Sequence, residues 1–168
     1  MTQNAKIVEL LRNLGFCAHD LDGDGTDFFF KFRQVNYLLM NNNDDENFIR
    51  IAIPQVFSVS KENRTMAYHV IERLGYVLKY VKAGISEDDV WLYYEHYVDD
   101  DAEPSEELIE HIIRSLHAGY TWFKDALDNY SGEDEEGDDD DDLDFDVDDD
   151  LGIDDDTDDD DSSDAEEG

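Results

Sequence analysis

The sequence has little of what would tie it to a membrane or to an oxidising compartment. It contains one cysteine, Cys17, so no disulfide can form within the chain. The polar start Met-Thr-Gln-Asn lacks the basic and apolar regions of a signal peptide. No apolar run approaches the roughly 20 residues that cross a bilayer. We therefore expect a cytoplasmic protein with no membrane contact.

Residues with a recognisable catalytic or metal-binding spacing are also scarce. His111 and His117 are six residues apart on a predicted helix, so they point to different sides, and the other histidines form no close pair. There is no glycine-rich phosphate loop, and Cys17 and the serines lie in no recognisable nucleophile motif. We expect a protein that is not an enzyme, with no catalytic residue, no metal site and no cofactor.

One acidic segment matches the first half of a calcium-binding loop, through Asp20, Asp22, Asp24 and Gly25. The second half does not match, because Lys31 stands in place of the bidentate glutamate and a strand follows in place of a helix. The pattern predicts a turn instead, in which the glycines adopt positive φ.

Basic residues are few, and the acidic ones are unevenly spread. Residues 133 to 168 hold 24 of the 47 acidic residues and no lysine or arginine, which leaves a net charge of −11 on the preceding part of the chain. This composition predicts a folded domain at residues 1–131 and a disordered Asp/Glu-rich tail at residues 132–168.

The predicted tail also carries isolated apolar residues, among them Leu143 and Phe145. An acidic and apolar pattern of this kind suits transient docking on a basic, apolar surface. One hypothesis is that the tail folds back on the domain and competes with a partner. The alternatives are a tail that only keeps the protein soluble, or one that acts as a chaperone for basic proteins.

Apolar periodicity divides the predicted domain into three helices and five strands. The helices are expected at residues 3–14, ending at Gly15, at residues 61–74, capped by Ser58 or Ser60 and ending at Gly75, and from Pro104 and Ser105 onward. The strands are expected at residues 28–33, 37–41, 48–54, 78–85 and 90–98.

The last of these strands, Val-Trp-Leu-Tyr-Tyr-Glu-His-Tyr-Val, has large apolar groups on both faces, so we place it inside the sheet. Short turns between the first three strands and a right-handed crossover through the second helix predict the strand order 1-2-3-5-4. The expected class is α+β, with an antiparallel-type sheet and the element order α-β-β-β-α-β-β-α.

This succession resembles the YbjN family. The residues that carry the resemblance are Asp-Gly-Asp-Gly before a Phe-rich strand, Phe48-Ile49-Arg50-Ile51, Tyr80-Val81-Lys82 before an acidic turn, and Val90-Trp91 after that turn. The resemblance implies a type III secretion chaperone-like fold and a bacterial regulator of sensory transduction with no settled activity.

Alternation along the strands assigns two faces to the sheet. We expect the helices to cover the face that holds Phe28, Phe30, Phe32, Ile49, Ile51, Ile53, Val81, Leu92 and Tyr94. The opposite face is expected to be basic and aromatic and to bind a partner through Phe29, Lys31, Arg33, Arg50, Tyr80, Lys82, Trp91, Tyr93 and Tyr97. The competing interpretation is a solvated strand surface on which Glu95 pairs with Arg50.

Two kinds of partner fit such a surface. The first is another protein, held as an extended or partly folded polypeptide by a chaperone-like regulatory module, and a second copy of the chain is compatible with this interpretation. The second is single-stranded nucleic acid stacked on the aromatic residues. The negative charge of both domain and tail opposes phosphate binding, so a protein partner is favoured.

Overall fold

A computed structural model describes residues 3–41, 47–99 and 102–132 of the chain. The predicted acidic tail beyond Gly132, and with it the hypothesis that the tail docks on the domain, lies outside the described residues. The described part contains three helices and six strands, in the order α1 (Gln3–Asn13), β1 (His19–Asp20), β2 (Phe28–Phe32), β3 (Val35–Met40), β4 (Phe48–Ser58), α2 (Arg64–Val77), β5 (Val81–Ser86), β6 (Asp89–Tyr97) and α3 (Glu106–Asp128).

All strands belong to one antiparallel sheet with the order β1-β2-β3-β4-β6-β5. The α+β class is therefore confirmed, but the expected count of five strands is wrong. The additional strand, His19–Asp20, is two residues long and pairs with β2 at one edge of the sheet. A two-residue strand is too short for the sequence to show an alternating pattern. The expected strands one to five correspond to β2, β3, β4, β5 and β6.

The hydrophobic core lies between one face of the sheet and the helices. Helix α3 contacts β4, β5 and β6, and both α1 and α2 pack against α3. The residues expected on this face all belong to the core or pack against it: Phe28, Phe30, Phe32, Ile49, Ile51, Ile53, Val81, Leu92 and Tyr94. The predicted face assignment is confirmed for these nine positions.

Helix α3 approaches the sheet closely at Gly119. A Cβ atom at this position would lie 2.9 Å from Cγ1 of Val81 and 3.3 Å from Cδ1 of Leu78. Such a separation is well inside van der Waals contact, so only glycine allows the helix to pack at this distance. Because Gly119 has no side chain, α3 can lie directly against β5 at this point.

Strand β4 continues past Pro54, where we expected it to end. Proline lacks the amide N–H that a regular sheet ladder requires. The strand runs to Ser58 through an irregularity in its pairing with β6. Its register advances by four residues, from Ile53 to Phe57, against two residues on β6, and Gln55 adopts a φ of 51°. This bulge removes Pro54 from the regular hydrogen-bond ladder, so the strand can resume beyond it.

Two of the predicted helix ends are confirmed. Gly15 follows α1 with a φ of +88°, the left-handed conformation that often terminates a helix. The hydroxyl oxygen of Ser105 caps α3 by accepting a hydrogen bond from the Leu108 amide at 3.2 Å.

The ends predicted for the second helix are wrong. Helix α2 starts after Asn63, whose side chain binds the backbone of Ser58 and Ser60 and does not cap the helix. The helix also continues through Gly75 to Val77. Gly75 does not have a positive φ, so it is an ordinary helical residue and not a stop.

No helix in residues 3–41, 47–99 and 102–132 combines the length and the apolar character that crossing a bilayer requires.

Candidate functional site

We call the side of the sheet opposite the core the open face. No described helix lies on it. One row of cross-strand neighbours runs along it through all six strands, formed by His19, Phe29, Leu38, Ala52, Tyr93 and Lys82. Ala52 lies near the middle of this row and is fully buried, although it is outside the core cluster. Because its neighbours across the strands are Leu38 and Tyr93, these larger side chains exclude water from the centre of the open face.

Aromatic rings stand in pairs on the open face. The rings of Trp91 and Tyr93 are stacked, with their centroids 6.2 Å apart and an interplanar angle of 15°. Phe29 stacks on His19 at 5.2 Å, and Phe48 contacts Tyr97 at 6.3 Å.

None of these aromatic residues of the open face belongs to the hydrophobic core, and Tyr97 is 50% exposed. Such rings offer flat, rigid contact area at a low cost in side-chain entropy. The expected position of Phe29, Trp91, Tyr93 and Tyr97 on this face is correct.

Two of the basic residues of the open face are held by one carboxylate. Glu95 accepts from Nε of Arg50 at 2.7 Å and pairs with Nζ of Lys82 at 2.6 Å. Only 16% of the Glu95 side chain is exposed. The hydrogen bond from Lys82, together with Arg50, holds the pKa of the Glu95 carboxyl below its usual range despite partial burial. Glu95 therefore stays ionised, and the pairing with Arg50 that we considered as the competing interpretation is confirmed.

This ion-pair cluster changes the expected character of the surface. Lys31 remains exposed on the open face, opposite Asn36, but Arg50 and Lys82 share the charge of Glu95. Burial raises the pKa of the neighbouring Tyr93, a rise that Arg50 opposes and Glu95 adds to, so its hydroxyl remains a neutral hydrogen-bonding group. The open face is thus mainly aromatic, with two of its bases held in an ion-pair cluster.

Two residues assigned to this face by alternation lie elsewhere. Tyr80 stacks on the core-face residue Tyr94 at 5.8 Å and also contacts His111 of α3. Arg33 lies in the turn after β2, with its guanidinium 5.1 Å from the ring centre of Phe32. Both errors have the same cause, because each residue is just outside a strand and the alternation of side chains does not extend there.

Sequence reasoning missed Leu38 and Met40, which belong to the open face on β3. Leu38 pairs with Ala52, and Met40 pairs with Arg50. Both are half-buried. Both residues flank the buried Leu39 on β3, so the alternation of side chains along this strand could have assigned them to the open face.

The aspartate-rich segment before β2 forms a turn, as predicted. The two carboxylate oxygens of Asp20 accept hydrogen bonds from the amides of Gly23 and Gly25, both at 2.8 Å. These glycines have φ values of +80° and +78°. Asp24 accepts from the hydroxyl and the amide of Thr26, and these hydrogen bonds lower the pKa of its carboxyl. In the described residues, no group of three or more histidine, cysteine or acidic side chains is arranged to hold a metal ion.

No protein-family model and no curated protein sequence matches this chain. Several solved structures are similar in fold. YbjN from E. coli, described as a proposed transcription regulator, matches with a TM-score of 0.58 at 13% sequence identity and covers 73% of this chain and 89% of its own. An uncharacterized protein from Methanothermobacter thermautotrophicus matches with a TM-score of 0.55 at 12% identity, covering 75% and 96%.

The third similar structure is the Yersinia pestis type III secretion chaperone SycH in complex with a stable fragment of YscM2. It matches with a TM-score of 0.49 at 13% identity and covers 71% of this chain and 98% of its own. At these identities the likeness concerns the backbone alone. The described domain has a YbjN-like α+β fold.

Proposed function

We propose that this domain is a non-catalytic protein-binding module that holds an extended or partly folded polypeptide against the open face of its sheet. The observation that carries the proposal is the aromatic surface around Trp91 and Tyr93, which lies outside the core on a side without a described helix. Clustered aromatic residues at the centre of a surface, surrounded by polar groups, are typical of interface hot spots. Chaperone-like regulation of a partner is the role that such a surface would serve.

The charges of the surface favour a polypeptide over a nucleic acid. Binding of phosphates depends on uncompensated lysine and arginine side chains. On the open face, Arg50 and Lys82 are engaged by Glu95, and the whole chain has a net charge of −35. A protein segment can instead gain from apolar contact with the aromatic rings and from hydrogen bonds at the polar rim.

The proposal is tested by capturing partners from a lysate of the native host with the full chain and with two variants, Trp91→Ala and Tyr93→Ala. Loss of an interface hot spot of this type weakens binding by about 30-fold or more. We expect discrete protein partners on the wild-type chain and their loss from both variants. Affinity should fall only mildly between low and high salt, because apolar contact dominates.

The matched control is Tyr76→Ala, since Tyr76 is 84% exposed on α2 and lies outside the open face. Its capture of partners should equal that of the wild type. Unchanged capture by the Trp91 and Tyr93 variants would contradict the proposal. So would captured material that nuclease removes and whose affinity falls steeply with salt, which would point to single-stranded nucleic acid.

A further inference from the structure

A second surface of the domain has the shape of a binding groove and lies away from the open face. The groove has a volume of about 790 Å³ and runs along α3. Its opposite wall is formed by Leu14 and Phe16, which follow α1, and by Phe32 and Arg33 at the tip of the β2–β3 hairpin. We call it the α3 groove.

The helix lines this groove with one continuous stripe of its surface. The lining positions include Glu110, Ile113, Arg114, His117, Thr121 and Asp125, which recur at intervals of three and four residues. Because a helix rises 1.5 Å per residue, this stripe is roughly 22 Å long. The length is that of about four helical turns, which exceeds what most small ligands span.

The groove is lined by apolar and by charged residues. Phe16, Phe32 and Trp122 give the lining its aromatic surface. Glu110 and Arg114 form an ion pair of 2.5 Å at one end, and Asp125 lies at the other. An amphipathic helix has an apolar stripe flanked by charged residues, so it is complementary to a groove lined in this way.

The aromatic wall is held in place before any ligand arrives. The Phe16 ring contacts the rings of Phe30 and Phe32 with centroids 5.5 and 5.9 Å apart. Phe32 also contacts His117 at 5.2 Å, and Nδ1 of His117 is 3.2 Å from the hydroxyl of the fully buried Tyr37. A preformed wall reduces the entropy that binding would otherwise cost.

Arg33 lines the groove although its backbone has an energetically unfavourable conformation. The hairpin turn has two central residues, Arg33 and Gln34, with φ values of 48° and 66°. Positive φ at both positions is the signature of a type I′ turn, which favours Asn-Gly. A larger residue in this conformation costs roughly 1–2 kcal/mol. Nevertheless a long cationic side chain is found there.

The charge of Arg33 is not balanced within the domain. In the described part of the chain its guanidinium makes no ion pair and contacts the ring of Phe32. Arg114, the other guanidinium of the groove, already pairs with Glu110. The groove therefore has one unpaired positive charge beside its apolar residues, while the carboxylate of Asp125 lies at the C-terminal end of the stripe.

We propose that the α3 groove binds an amphipathic helix of a partner protein, with an apolar stripe against Phe16, Phe32 and Trp122 and a carboxylate that pairs with Arg33. The length of the groove fits about 15 residues of helix. Its half-apolar lining fits a helix with one polar side better than a wholly apolar ligand. A carboxylate held by a guanidinium gains a charge-assisted hydrogen bond beside the apolar contact.

The test uses two stapled helical peptides of about 18 residues, identical in their leucine stripe and flanked either by glutamates or by lysines. Fluorescence anisotropy at about 0.15 M salt measures the affinity of each for the full chain. The net charge of −35 would favour the lysine peptide through unspecific attraction. At this salt concentration distant charges are screened, so we expect the glutamate peptide to bind about tenfold more tightly.

Two variants locate the contact without endangering the fold. Arg33→Asn removes the guanidinium and places a residue that a type I′ turn favours, so the variant should be at least as stable as the wild type. It should bind the glutamate peptide about tenfold more weakly. Ala118→Glu places a carboxylate on an exposed groove position and should abolish binding. Gln34→Gly and Thr65→Glu are the matched controls, for the turn and for an added surface charge on α2, and both should bind as the wild type does.

The proposal is overturned if neither peptide binds, if the lysine peptide binds as tightly as the glutamate peptide, or if Arg33→Asn and Ala118→Glu bind like the wild type. The result is independent of the proposed function of the open face. Trp91→Ala should leave peptide binding unchanged, and Arg33→Asn should leave partner capture by the open face unchanged.

Discussion

At the scale of single residues, the clearest constraint on the fold is the close contact of Gly119 with Val81 and Leu78. Substitution by alanine would improve helix propensity, but the added methyl group would have to displace β-branched Val81 from the core. The steric cost exceeds the gain in propensity, because a 2.9 Å approach cannot be relieved by a small rotation.

We predict that Gly119→Ala lowers the free energy of unfolding by about 1–3 kcal/mol, measured by urea denaturation. The matched control is Gly75→Ala, since Gly75 is inside α2 and an added Cβ there meets nothing within 4 Å. That variant should be more stable by about 0.5–1 kcal/mol. Equal effects of the two substitutions would show that α3 does not approach the sheet as described.

A second residue-scale prediction concerns Glu95 and pH. Its pKa is lowered in the folded protein by Lys82 and Arg50, so its contribution to stability is present above the pKa of the unfolded chain, near 4.3. The contribution is lost as the pH falls through the lower folded value. Glu95→Gln should lower the free energy of unfolding by about 1 kcal/mol at neutral pH. Below about pH 4.3 the variant should lose less stability than the wild type, because it has no carboxylate to protonate at this position.

Denaturant unfolding of the wild type and of Glu95→Gln at a series of pH values between 3 and 7 checks this prediction. The carboxylates elsewhere in the chain are common to both proteins, so the difference between the two curves isolates Glu95. A difference that does not change with pH would contradict the ion-pair assignment.

At the scale of elements, the β2–β3 hairpin shows a conflict between local preference and sequence. A two-residue turn with positive φ at both positions favours glycine, but the chain has Arg33-Gln34 there. We predict that Gln34→Gly raises the free energy of unfolding by about 1 kcal/mol, because glycine adopts this conformation without the steric cost. The thermal midpoint of the variant provides the measurement, and a lower midpoint would contradict the assigned turn.

Strand interiors are also where the sequence predicted the structure most reliably. Alternation assigned Ile51 and Leu92 to the core and Trp91 and Tyr93 to the opposite side, as observed. It failed at Tyr80, beside a strand end, because the periodicity that fixes a side chain's direction ends with the hydrogen-bond ladder. Pro54 is compatible with a strand end or with a bulge, and only the pairing with β6 distinguishes the two.

At the scale of the whole molecule, the sequence predicted the α+β class and, in the competing interpretation, the pairing of Glu95 with Arg50, but not that Lys82 joins the pair. Arg50 and Glu95 are 45 positions apart, and only the register of β4 against β6 brings them together. The register of β5 against β6 adds Lys82, so that one carboxylate holds two bases of a face that was expected to be basic and aromatic. The α3 groove was likewise not predictable, because three separate segments form it.

Binding at the open face and binding at the α3 groove should differ in their dependence on salt. The open face should bind its partner with a mild dependence on salt, because apolar contact dominates and Glu95 holds Arg50 and Lys82. The contact of the α3 groove should depend more strongly on salt, since Arg33 is available to a ligand carboxylate. Affinities measured at two salt concentrations with Trp91→Ala and Arg33→Asn would separate the contributions.

The central claim, that a protein partner occupies the open face, is tested most directly by site-specific photocrosslinking in cells of the native host. A photoreactive phenylalanine replaces Tyr97 on the open face or, as the control, Tyr76 on α2, both of which are exposed. The account predicts a discrete protein adduct from position 97 that is absent from position 76 and resistant to nuclease. No adduct from position 97, the same adduct from both positions, or an adduct of nucleic acid would contradict it.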